Sequence, residues 1–211
     1  MTAAVSYASG PSHKALLGMP IGTLFDDIVA RHGGREAVVS VHQGIRLSYQ
    51  DLAQRVNTLA RAFIASGFSK GDRVGIWSPN NVEWLVTQYA TAKAGIILVT
   101  INPAYRLHEL AFVLEQSGCK GLVLQNRFKT SDYEALICEL CPQLQSCEPG
   151  QLRSEKFANL TTVISMTEST LPGITNWQDF LELAGGRIPS LAGIKFTHPD
   201  PMDIRRCLSF E

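Results

Sequence analysis

Residues 71–102 read GDRVGIWSPNNVEWLVTQYATAKAGIILVTIN, and the reading of this stretch decides the fold. Arg73 to Trp77 is an apolar run of strand length, opened by Gly71-Asp72 and closed by Ser78-Pro79-Asn80. From Asn81 to Lys93, Val82, Leu85, Val86 and Tyr89 recur at helical spacing, which predicts a helix with that face inward. Gly95 marks a turn into a second apolar run, Ile96 to Ile101, which Asn102-Pro103 breaks. Strand, helix and strand of this length make a βαβ unit. Strands that are continuously apolar, without polar alternation, belong to a parallel sheet covered on both faces.

The rhythm continues downstream. A helix is expected from about Leu107 to Ser117, stopped by Gly118, then a strand from Lys120 to Leu124. A helix over Ser131–Cys141, a strand over Thr161–Ser165 and a short helix over Trp177–Leu183 follow. The polar segment from Gln143 to Ala158, with its Pro149-Gly150, reads as a surface excursion, and regular structure fades after Gly185-Gly186. Upstream, a helix begins after Thr23 with Ile21, Leu24, Phe25, Ile28 and Val29 on one face and stops at Gly33-Gly34. Ala37 to His42 and Ile45 to Leu47 flank Gln43-Gly44 as a hairpin. Ser48-Tyr49-Gln50-Asp51 then opens another helix as a variant capping box, with Leu52, Val56, Leu59, Ala60 and Phe63 as its buried stripe. The predicted class is α/β, a largely parallel sheet of βαβ units with helices on both faces.

Composition narrows the function. With 211 residues and 45% apolar content, the chain can bury a substantial core. Lys+Arg and Asp+Glu number 19 each, so the basic footprint of a nucleic-acid binder is missing. The charged fraction of 18% is low, as for a surface partly made to be covered by more protein. No stretch approaches the length of a transmembrane segment. The first twenty residues do not pattern as a secretory signal, and residues 1–25 lack both acidic groups and Arg, so a cytoplasmic location is the default expectation. Five cysteines, an odd number, point to reduced thiols.

Motifs that would carry chemistry are missing. There is neither a G-x-x-x-x-G-K-[ST] nor a G-x-G-x-x-G loop, and Gly67 to Gly71 precedes a strand, so it reads as a tight turn. Gly10-Pro11-Ser12-His13 lies in the lead-in and is no nucleophile elbow. His108-Glu109 begins like a zinc motif, but Phe112 stands where its second histidine belongs. Cys138 and Cys141 form a C-x-x-C at a helix end, where the dipole opposes a thiolate; Cys147 is nearby, but no second pair completes a zinc set. Asp72, Glu83, Glu109 and Glu115 are read as turn caps or solvated groups. No catalytic, cofactor-binding or metal-ligating residue is assigned.

The ordered motifs carry a resemblance. Leu47-Ser48-Tyr49-Gln50-Asp51-Leu52, Gly71-Asp72-Arg73-Val74, Pro79-Asn80-Asn81, Lys93-Ala94-Gly95 and Asn102-Pro103 stand in the order seen near the start of adenylate-forming enzymes. The helix bearing Glu109-Leu110, then Ser117-Gly118-Cys119-Lys120, resembles the next element. Asn102-Pro103-Ala104-Tyr105-Arg106 is most similar to the fatty-acyl-CoA synthetase branch. The resemblance implies a two-step ligase that makes an acyl-adenylate from a carboxylate and ATP, then a CoA thioester. ATP, Mg²⁺ and CoA are implied for a complete member, with fatty acid as the acyl donor. Pro199-Asp200-Pro201-Met202-Asp203-Ile204 resembles the lead-in to the family's phosphate loop, but Arg205-Arg206-Cys207-Leu208-Ser209-Phe210-Glu211 then stands where the glycine-rich loop is expected.

The resemblance therefore divides the chain into a lead-in (1–19), the N-terminal portion of an AMP-binding domain (20–200) and a divergent tail (201–211). The fold is expected to be incomplete, and the chain inactive alone and binding no cofactor. A frameshift or truncated gene would account for the change at the loop, and unpaired strands would make the isolated chain poorly soluble. Two other readings stay open. One is a non-catalytic interaction module or split subunit that pairs with the separately encoded remainder of a ligase. The other is a stand-alone small-ligand-binding α/β protein.

Overall fold

The computed structural model describes residues 17–169 and 171–185. The chain opens with α1 (Ile21–His32), a hairpin of β1 (Glu36–Ser40) and β2 (Ile45–Ser48), and α2 (Tyr49–Ala65). β3 (Arg73–Trp77), α3 (Val82–Ala94), β4 (Ile97–Ile101), α4 (Leu107–Ser117) and β5 (Gly121–Leu124) follow. A small antiparallel pair, β6 (Arg127–Phe128) and β7 (Ser131–Asp132), leads into α5 (Tyr133–Leu140). β8 (Thr162–Ser165), β9 (Ile174–Asn176) and α6 (Trp177–Glu182) complete the described part.

The five-stranded sheet has the order β4-β3-β5-β8-β9, and every neighbouring pair is parallel. Helices lie on both faces, as expected of continuously apolar strands. One core joins α1, α2, α3 and α6 to Val74, Val123 and Ile164 of the sheet. The other joins α4 and α5 to Trp77, Leu122, Leu124 and Val163. Each fully buried Val, Leu or Phe contributes about 1.5–3 kcal/mol, and the stripe Leu52, Val56, Leu59, Ala60 and Phe63 of α2 is buried throughout.

Local chemistry sets the element ends. The Ser48 hydroxyl accepts from the Asp51 amide at 3.1 Å while the Asp51 carboxylate accepts from the Ser48 amide at 3.0 Å, the reciprocal capping box read in the sequence. Asn81 caps α3 by accepting from the Trp84 amide at 2.7 Å. Gly95 closes the same helix at φ 72°, a left-handed conformation that an L side chain rarely adopts.

Several expectations need correction. α1 starts at Ile21, and that residue, read as inward, is 60% exposed. The hairpin connection is Val41–Gly44, not the two residues Gln43-Gly44, because β1 ends at Ser40. The helix read from Ser131 begins at Tyr133; Asp132 caps it by accepting from Ala135, and Ser131 belongs to β7. β9 and the β6–β7 pair have no counterpart among the strands expected from the sequence. The polar 143–158 segment does run over the surface, but Leu144, Leu152 and Phe157 pin it to the second core. The lead-in with Gly10-Pro11-Ser12-His13, the segment after Gly185 and the tail with Arg205-Arg206 lie outside the described residues.

Candidate functional site

The order β4-β3-β5 reverses direction between β3 and β5, since successive connections from there run to opposite sides. In open parallel sheets, ligands bind beyond the strand C-termini at such a switch point. Here that crevice is formed by Ser78 to Asn81 after β3, Gln125 after β5, and Met166 after β8. The hairpin tip reaches the same place through Gln43.

Most polar groups of this crevice are engaged with one another, the exposed Asn80 apart. Ser78 Oγ donates to the Pro79 carbonyl at 2.8 Å and accepts from Asn81 Nδ2 at 3.0 Å. Asn81 Nδ2 also donates to Gln125 Oε1 at 2.8 Å. Gln43 Oε1 accepts from the Val82 amide at 2.9 Å and from Ser40 Oγ at 2.8 Å, while its Nε2 donates to Glu83 at 2.8 Å. A helix N-terminus beside a sheet's C-terminal edge is a ready anion site when its amides are open. The Val82 and Trp84 amides of α3 are instead occupied by Gln43 and Asn81. The links that join this network across the fold are not legible in the sequence, because Gln43 and Glu83, and Asn81 and Gln125, lie forty or more positions apart.

Among the described residues of the crevice no nucleophile is backed by a base. Ser40 and His42 approach at 3.4 Å, but the Ser40 hydroxyl donates to Gln43. Beside it, Glu134 accepts from Ser165 Oγ at 2.9 Å and from Ser169 Oγ at 3.1 Å, an acid tying the ends of α5 and β8 together. Among the described residues there is no group of three His, Cys, Asp or Glu that could hold a metal ion. The described residues therefore do not fit a Mg²⁺ site.

The acids and thiols singled out in the sequence are dispersed. Asp72 accepts from the Ser69 amide at 2.8 Å and pairs with Lys120 at 2.7 Å, capping the turn before β3. Partial burial works against its charge, but these bonds hold its carboxyl below the ordinary value. Glu109, bonded to its own amide and that of Arg106, is likewise lowered and caps α4. Glu83 holds Gln43, and Glu115 lines the groove beside β4. Cys138 lies in the last turn of α5 and Cys141 is its C-cap. Burial pushes Cys141 up to about 11 and raises Cys138 too, which keeps both as thiols.

What the fold and crevice define is a doubly wound α/β domain whose motif residues serve as caps and anchors. The sequence pattern of the family described as AMP-binding enzyme matches residues 25–178, and the chain belongs to that family. It is 41% identical over 192 residues to a protein of Rattus norvegicus named medium-chain acyl-CoA ligase ACSF2, mitochondrial, covering 91% of this chain and 31% of the relative. The Danio rerio protein of the same name is 38% identical over 181 residues, covering 86% of this chain and 30% of the relative. The chain thus spans about a third of the length of these relatives and corresponds to their N-terminal part. Among solved structures, the N-terminal domain of FACL13 from Mycobacterium tuberculosis superposes with a TM-score of 0.62 at 20% identity, over 84% of this chain and 38% of that one. A long-chain-fatty-acid-CoA ligase from Archaeoglobus fulgidus gives 0.62 at 18%, over 85% and 32%. These two likenesses show the fold. No described helix is long and apolar enough to cross a membrane.

Proposed function

We propose that this chain is the N-terminal scaffold of an ATP-dependent fatty-acyl-CoA ligase and is not catalytic by itself. In the complete reaction a carboxylate oxygen attacks the α-phosphorus of ATP and pyrophosphate leaves. The CoA sulfur then attacks the acyl carbon of the adenylate, and AMP and a proton depart. Charge developing at phosphorus has to be met by preorganised donors and Mg²⁺. The observation that supports the scaffold reading is how far the crevice is bonded to itself: Ser78 and Gln125 Oε1 are held by Asn81, and Gln43 and Asn81 occupy the Val82 and Trp84 amides of α3. The phosphate, Mg²⁺ and CoA contacts then fall to polypeptide beyond this scaffold. The division into a lead-in (1–19), domain portion (20–200) and divergent tail (201–211) belongs to the same reading.

The test is ATP–pyrophosphate exchange with octanoate and palmitate. The chain alone is expected at background. A chimera in which residues 25–178 replace the matching region of the rat relative is expected to exchange. Turnover by the chain alone would refute the non-catalytic half of the proposal, and a folded but inactive chimera would refute the ligase half. A cytoplasmic location is part of this reading, although the ACSF2 relatives are named mitochondrial. Import of a reporter fused behind residues 1–25 into isolated mitochondria would overturn it.

A further inference from the structure

We draw no further inference here: the strongest candidate, the basic rim that Arg106, Arg127 and Lys129 form around the β6–β7 turn, consists of exposed side chains already engaged by Thr130, Asp132 and the Phe128 ring, and nothing in the structure shows what it would hold.

Discussion

Replacing Asp26 by alanine strips the Lys93 ammonium of its counter-ion. Lys93 stands near the end of α3 with its side chain 9% exposed, and its Nζ reaches Asp26 Oδ1 of α1 at 2.5 Å and Asn57 Oδ1 of α2 at 2.7 Å. One side chain thus ties three helices together. The stem lies against Gly22, where an added Cβ would meet Lys93 Cγ at 3.1 Å. Removing one partner of a fully buried ion pair costs about 3–5 kcal/mol, whereas an exposed pair contributes about 0–1 kcal/mol. Asp26 is 53% exposed, so its charge is screened on one side, and Asn57 still serves the ammonium after its removal. The expected cost of Asp26→Ala is therefore intermediate, about 1.5 kcal/mol, or a drop of about 3–6 °C in Tm for a domain of this size.

A double-mutant cycle isolates the pair. Lys93→Met keeps the stem against Gly22 and removes the charge; about 1 kcal/mol is expected, because Asp26 regains water and Asn57 loses a donor. With both changes the loss is expected near 1.5 kcal/mol, leaving a coupling of about 1 kcal/mol. The assay is urea unfolding followed by the fluorescence of Trp77, which is completely buried and changes environment on unfolding. Additivity of the two substitutions within about 0.3 kcal/mol would refute the view that this lysine acts as a helix anchor through Asp26.

Other consequences follow from the same structure. Asp72 has its folded pKa lowered, so the stability it contributes is present above the unfolded value of about 3.9 and is lost as pH falls through its folded value. Unfolding midpoints measured from pH 7 to 2 should drop below about pH 4, and Asp72→Asn should flatten that slope; an unchanged slope counts against the turn cap. In a Cys207→Ser background at pH 8, Cys147 is expected to react with a thiol reagent well before Cys119, Cys138 and Cys141, since Cys119 and Cys141 are pushed up to about 11 by burial. Prompt modification of three or more thiols in the native state would contradict this. Gly121→Ala would place a Cβ 2.7 Å from Phe68 Cζ, in a ring stacked edge-on to Phe63, and should cost about 1–3 kcal/mol by overpacking; a neutral or stabilising effect in thermal unfolding would show that Phe68 can yield. Grafts of residues 25–178 into two ligases of different acyl-length preference should leave each recipient's preference unchanged, whereas transfer of preference would place acyl contacts within this region.

The regular elements were legible because their signals are local. A capping box spans four residues, and α2 follows its stripe without exception. β3 and α4 keep the ends read from Asp72 and from Gly118. The losses came where geometry is long-range. β9 is three residues paired only to β8, too short for periodicity to register. The 143–158 excursion reads as solvated because its few large apolar residues are widely spaced, yet Leu144, Leu152 and Phe157 each pack into the second core. The crevice network needed the fold first, for no spacing rule brings Gln43 to α3 or Gln125 to Asn81.

The residues that carry the family resemblance acquire a common explanation in the structure. Ser48 and Asp51 begin α2, Asp72 holds the turn before β3, and Asn81 begins α3. Lys93 binds three helices together, while Gly95 turns the chain into β4. Asn102 accepts from the Ala104 amide at 2.9 Å, shaping the exit from that strand. Each of these residues fixes a boundary or a helix contact, and none holds a free polar group toward the crevice. Motifs that fall at such positions report that two chains fold alike, because caps and anchors are demanded by the backbone whatever the substrate. Identity of about 40% to medium-chain ligases over this region thus carries the architecture securely. Acyl preference has to be read from residues that touch the acyl chain.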